Sequence, residues 1–335
     1  MNDYYPEDAR ISAADAPAAE SSSAAPTNGF YPEGARIAAP ENRAAMKSAA
    51  SLRDAAARGA VLESRVVKCD PSHALHVDLG VMRGVIPREE GAIGIDTGLT
   101  RDIALISRVG KPVCFVITGF SRAPDGRLCA VCSRKRAQEM CARQYLSRLI
   151  PGDVIGAKVT HLENFGAFCD VGAGVSALLP IDAISVSRIP HPCARFVPGQ
   201  DIRAVVRERD AFGRLTLTHK ELLGTWEENV SRFSVGETVP GVVRSVENYG
   251  VFIELTPNLA GLAEYTDRVQ PGQYAAVYIK NIIPERMKVK LVIVDVSLDK
   301  PPYRPLHYFF KGDHISAFSY APAGCGRRIE TVFDS

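Results

Sequence analysis

Two sets of residues in this chain have types and spacings that could do chemistry. The first is thiol and imidazole: Cys129-Ala130-Val131-Cys132, then Cys141, and separately His191-Pro192-Cys193. A Cys-x-x-Cys pair is half of a zinc site or a redox couple. Here it falls on an alternating stretch that reads as a strand, where positions three apart point to opposite faces. His191-Pro192-Cys193 has no second ligand pair in the sequence. These thiols therefore read as structural, and neither a metal nor a cofactor is expected. The second set is aromatic: Glu163-Asn164-Phe165-Gly166-Ala167-Phe168 and, 84 positions later, Glu247-Asn248-Tyr249-Gly250-Val251-Phe252. Flat side chains on an outer face are costly to expose without a partner. A single-stranded base is such a partner, and stacking on it is worth roughly 1–3 kcal/mol per base.

The elements that position these aromatics are repeated with them. At the same offset of 84, Gly152 pairs with Gly236, Val159 with Val243 and Leu178 with Leu262. The register then slips to 73, where Pro198-Gly199-Gln200 meets Pro271-Gly272-Gln273, so the last unit has lost 11 residues between its middle and its last strands. Loops absorb such deletions and strands do not. A weaker first copy is visible in Val77-Asp78-Leu79-Gly80 followed by Gly84-Val85-Ile86-Pro87, which parallels Cys169-Asp170-Val171-Gly172 followed by Ala177-Leu178-Leu179-Pro180. Three units of about 70 residues result.

Each unit reads as short strands separated by Gly, Pro and Asp. In the middle unit the runs are 154–162, 166–171, 175–179, 202–207 and 214–218. Five strands in so short a span suit a closed barrel, which removes exposed edges. Gly166 sits where the first strand turns into the second, and a glycine there permits a bend. Leu222, Trp226, Val230 and Phe233 recur at helical spacing and predict one amphipathic connector; Met140 or Cys141, Leu146 and Leu149 suggest another.

Composition bounds the rest. With 335 residues, 46% hydrophobic and 23% charged, the chain is of the globular class. No run approaches eighteen apolar residues and no secretion signal is seen, so a cytoplasmic protein without membrane contact is expected. Eight scattered cysteines are not a disulfide framework. Residues 61–136 carry twelve Lys and Arg against eight Asp and Glu, helped by Ser133-Arg134-Lys135-Arg136; the second and third units are close to neutral. A charge run of this kind reads first as a solvated face, and only weakly as a nucleic-acid contact. Residues 1–50, rich in Ala, Ser, Pro and Glu, read as a disordered tail. Inside it, Asn2–Ile11 (NDYYPEDARI) is echoed by Asn28–Ile37 (NGFYPEGARI), which reads either as two copies of a docking peptide or as a duplication with one working copy.

The middle unit resembles a known family, the S-one RNA-binding domain, a five-stranded oligonucleotide/oligosaccharide-binding (OB) barrel. The matching residues are Pro151-Gly152-Asp153, Val159, Phe165-Gly166-Ala167-Phe168, Leu178-Leu179-Pro180, Pro198-Gly199-Gln200, Asp210 and Arg214-Leu215-Thr216-Leu217. The resemblance implies an RNA face made by Phe165, Phe168, Asp210 and Arg214, with Pro180 where the family usually has a histidine. In the third unit it implies Tyr249 and Phe252, with Glu264 at the histidine position, Lys288 as the match to Arg214, and no acid matching Asp210. The first unit has His73 and His76 in place of the aromatics, with Asp125 and Arg127 at its last turn.

The expected architecture is all-β: three tandem five-stranded OB barrels with short helical connectors. The boundaries are a tail over 1–50, a short helix over 51–60, barrels over 61–136, 150–222 and 234–298, linkers over 137–149 and 223–233, and an aromatic segment over 299–335 that folds back on the third barrel or meets a partner. The expected function is single-stranded RNA binding, with Arg207, Arg214, Lys280 and Lys288 neutralising phosphates. The resemblance adds messenger RNA and the small ribosomal subunit as partners. No enzyme is expected, because the units fill the chain and no phosphate-cradling loop or nucleophile motif is present. The competing expectation is a protein-interaction scaffold whose tail recruits a partner.

Overall fold

The computed structural model describes residues 29–123, 126–297 and 305–333. Three closed barrels follow one another, each with five strands. The first is built from β1 (Leu62–Cys69), β2 (Leu75–Asp78), β3 (Arg83–Ile86), β4 (Pro112–Arg122) and β5 (Leu128–Ser133). The second uses β6 (Val154–Glu163), β7 (Gly166–Asp170), β8 (Ser176–Pro180), β9 (Asp201–Arg209) and β10 (Leu215–Thr218). The third uses β11 (Thr238–Glu247), β12 (Gly250–Thr256), β13 (Leu259–Ala263), β14 (Tyr274–Ile283) and β15 (Lys288–Ser297). In each, the third strand runs parallel to the fifth and the other pairings are antiparallel. Alternating Val, Ile, Leu and Ala fill the barrels, with Val159, Leu179, Ala204 and Leu217 at the centre of the second. The deletion sits where expected: residues 181–200 join β8 to β9, whereas only 264–273 join β13 to β14.

Five of the eight cysteines, Cys141 among them, are buried, whereas Cys193 is exposed and Cys69 and Cys325 are half-buried. Cys129 and Cys132 are both buried, despite their spacing, and Cys132 belongs to the first core. Burial pushes its thiol up to about 12, which keeps it protonated and unreactive.

The tail expectation fails for residues 29–50. Helix α1 (Pro40–Ala45) lies there and Phe30 is buried in the core of the second barrel, while α2 (Ala49–Ala57) stands, two residues early, where the short helix over 51–60 is expected. Local composition missed this because the surface that buries Phe30 is supplied by residues more than a hundred positions away. The first copy of the duplicated motif, Asn2–Ile11, lies outside the described residues.

The tryptophan connector is also not one helix. A short helix, α3 (Ile103–Ile106), lies within the first barrel, and the first connector is α4 (Arg134–Gln144), capped by the Ser133 hydroxyl. The second breaks into a 3-10 turn over 220–223 and α5 (Trp226–Val230). Gly224 separates them at φ +83°, where a Cβ would meet the Phe309 ring, and Thr225 with Glu228 forms a capping box that starts the helix afresh.

Residues 305–333 reach both the second and the third barrel. Ile315 and Phe333 pack with Val154, Val205 and Leu222, and Ile315 N–H donates to Gly152 at 2.8 Å. Tyr320 accepts Trp226 N–H through its carbonyl and lies in the third core. The second and third barrels also meet directly. The Asn258 amide donates to Lys220 and Gly224 carbonyls at 2.8 Å and accepts Val186 N–H at 3.0 Å. Beside it, buried Glu254 takes Arg195 at 2.5 Å and Arg244 at 2.8 Å.

Candidate nucleic-acid interface

Strand pairing explains why glycine separates the two aromatics. Glu163 pairs with Gly166 and His161 with Phe168 across the turn between β6 and β7. A Cβ at Gly166 would stand 2.5 Å from the Leu179 carbonyl oxygen of β8, and one at Gly250 would stand 2.5 Å from the Ala263 carbonyl oxygen of β13. The glycine lets the next strand close over this corner, and the Phe165 carbonyl accepts Ile181 N–H at 3.0 Å to hold it. Phe165 and Phe168 are thereby brought onto one surface, edge to face, with centroids 6.0 Å apart and planes at 88°. Tyr249 and Phe252 repeat this at 6.1 Å and 86°. The first ring of each pair is largely bare, at 56% exposure for Phe165 and 66% for Tyr249.

The cations are fixed by a second shared device. Between β9 and β10, Glu208 pairs with Thr216 and Val206 with Leu217, leaving Arg207 as the extra residue of a bulge. Between β14 and β15, Asn281 pairs with Lys290 and Ile279 with Leu291, leaving Lys280 in the same place. Bulges re-aim a side chain out of the ladder, and both residues are exposed. Leu178 lies beside Thr216 and Leu262 beside Lys290, so counting back two residues puts Arg214 and Lys288 at equivalent positions. Each of the two barrels thus carries one aromatic pair and two cations in matching places. By the same count Pro284 stands where the second barrel has Asp210.

Asp210 is engaged locally. Its carboxylate accepts Phe212 N–H and Arg214 N–H at 2.9 Å and the Arg214 guanidinium at 2.6 Å. The Arg214 backbone and side chain together hold its carboxyl below the ordinary range. The loop they shape presents Phe212, 84% exposed, with the Arg214 guanidinium 5.3 Å from its ring centroid. Sequence reasoning passed over Phe212, although an aromatic inside an Asp-Ala-Phe-Gly-Arg turn cannot reach a core. His161 was also passed over; it lies opposite Phe168, paired with Glu163 at 2.6 Å.

Among the described residues, the first barrel lacks this equipment. His76 is opposite Lys68, the place of Phe168, but its Nε2 lies 2.8 Å from Asp70. At the bulge between β4 and β5 the extra residue is neutral Thr118. Asp125 lies outside the described residues. The basic run is a solvated face only in part: Arg134 is buried against Glu33, while Lys135 pairs with Asp96 at 3.0 Å near the surface and Arg136 is exposed.

Residues 148–220 match the S1 RNA binding domain. The small ribosomal subunit protein bS1 of Staphylococcus aureus (strain COL) is 32% identical over 163 residues, covering 45% of this chain and 41% of that protein. The bS1 protein of Leuconostoc lactis is 30% identical over 176 residues, covering 50% of this chain and 39% of its own. The chain thus spans about two-fifths of the length of these relatives. A crystal structure of a multidomain protein with nucleic acid binding domains from Streptococcus pneumoniae aligns at 13% identity and a TM-score of 0.23, over 71% of this chain and 74% of that one. Residues 148–220 are thus an S1 RNA binding domain, flanked on either side by a barrel of the same strand order, in a chain similar to part of the bS1 proteins.

Proposed function

We propose that this protein binds single-stranded RNA through its second and third barrels, as a non-catalytic protein of the cytoplasm that associates with the small ribosomal subunit. Bases stack on Phe165 and Phe168 and on Tyr249 and Phe252, while Arg207, Arg214, Lys280 and Lys288 meet phosphates. Asp210 serves by shaping the turn that carries Arg214 and Phe212. The observation that supports this reading most is the repetition, on two barrels of different sequence, of one perpendicular aromatic pair and of one cation at the same bulge. Packing alone requires neither an exposed ring nor a charged bulge. The bS1 relatives support association with the small ribosomal subunit. The scaffold alternative is not favoured, because the described copy of the duplicated motif is occupied within the chain.

The test is binding of fluorescent single-stranded RNA to wild type and to the Phe165→Ala, Tyr249→Ala double variant at two salt concentrations. Wild type should bind with salt-dependent affinity, and the variant, folded by circular dichroism, should lose roughly 1–3 kcal/mol per platform. Equal binding by both proteins refutes the stacking role.

A further inference from the structure

The copy of the duplicated motif that the structure describes is a bound peptide in all but its covalent link. Phe30 is buried in the core of the second barrel, and the Tyr31 carbonyl accepts Ala173 N–H at 2.8 Å. The Glu33 carboxylate receives Arg134 at 2.7 and 3.0 Å, Arg108 at 3.2 Å and Cys114 N–H at 3.1 Å. Glu33 N–H donates to Asp170 at 2.7 Å, and its carbonyl takes Lys158 at 3.2 Å. Gly34 and Arg36 N–H donate to Glu63. The receptor is therefore shared: Glu63, Arg108 and Cys114 come from the first barrel, Arg134 from α4, and Lys158, Asp170 and Ala173 from the second.

We propose that this cleft between the first and second barrels is a peptide-binding site for the pattern aromatic-Tyr-Pro-Glu-x-Ala-Arg-Ile, and that Tyr4–Ile11 of the same chain is its second ligand, exchanging with Phe30–Ile37. Tyr4, Tyr5, Pro6, Glu7, Ala9, Arg10 and Ile11 supply the aromatic anchor, the carboxylate and the arginine in the same order. Asp8 is the one backbone misfit. It replaces Gly34, which sits at φ +95° with a would-be Cβ 2.8 Å from Pro112. That left-handed position makes the first copy the weaker ligand, by on the order of tenfold. A ligand tethered 26 residues from the docked copy meets the cleft at an effective concentration on the order of 1 mM, so exchange within the chain outcompetes capture by another molecule.

The test uses the full chain with the photoreactive residue benzoylphenylalanine placed at position 4. With Phe30→Ala and Glu33→Ala disabling the docked copy, illumination should give intramolecular cross-links to the cleft around Ala173, located by mass spectrometry. Glu7→Ala, or a millimolar synthetic peptide of residues 28–37, should suppress them. A second arm leaves the cleft and docked copy native: Asp8→Gly alone should raise the cross-link yield about fivefold, from roughly a tenth of the chains to about half. Cross-links outside the cleft, cross-links only between chains, or a yield indifferent to Asp8→Gly would each overturn the proposal.

Discussion

Replacing Asp210 by asparagine separates two roles for that residue. As a direct RNA contact, which the family resemblance implies, its loss weakens binding. As a brace for the turn, which its bonds to Phe212 and Arg214 describe, its loss acts in the opposite direction. Asparagine keeps an oxygen to accept the two backbone N–H groups, yet turns an amide N–H toward the arginine and cancels the charge that neutralises it. The Asp210–Arg214 pair goes from zero net charge to +1. One further counterion is then released on binding, which steepens the dependence of log affinity on log salt by about 0.7 for a single strand. Between roughly 50 and 200 mM salt, a fourfold range, the gain over wild type should be about 2.6 times larger at the low end. Fluorescence anisotropy with labelled single-stranded RNA over four salt concentrations measures both slopes. A parallel or shallower slope with uniformly weaker binding, in a variant that melts like wild type, refutes the brace and returns Asp210 to the RNA face.

Other consequences follow from buried charge. Glu254→Gln leaves Arg195 buried at the junction of the second and third barrels without its carboxylate, and urea unfolding should show a loss of about 3–5 kcal/mol; an unmoved midpoint contradicts the clamp. His219 is buried between Phe196 and Tyr308, and burial lowers its imidazole to about 4 from an ordinary 6.5. The unfolded chain binds this proton more readily, so the stability it contributes is present above pH 6.5 and is lost as pH falls toward 4. Between pH 7 and 5 the loss is about 2 kcal/mol. It should be read as the difference between wild type and His219→Gln, since burial and the Glu33 carboxylate push Asp170 up to about 7, which acts oppositely in both proteins.

What the sequence disclosed and what it withheld divide along contact distance. The offset of 84 carried the barrels, because strand, turn and glycine positions are set within a unit. The shift to 73 located the shortened connection for the same reason. The matches of Lys280 to Arg207 and Lys288 to Arg214 depend on bulges, yet the slip to 73 already brought Lys280 onto Arg207. By contrast, Phe30, Glu33 and Arg134 could not be placed, since each is buried by a partner in another barrel or connector and no periodicity records that. Arg134 looked like part of a solvated run until Glu33 was beside it. The Trp226 helix failed over one residue, Gly224, whose left-handed backbone outweighs the apolar spacing on either side.

The Asn258 plug, the Glu254 clamp and the C-terminal segment together make the second and third barrels a ruler with two marks. On the proposed reading, a nucleic acid that engages both marks supplies the bending itself, because these contacts join the two barrels directly. An oligonucleotide too short to span them gains one platform's affinity whatever its concentration on the other. Once the span is reached, the second contact forms at an effective concentration governed by the flexibility of the RNA alone. Under the proposed single-strand binding, stiff or base-paired segments between the marks would be disfavoured without any contact that reads their sequence, so the spacing itself would select unstructured strands.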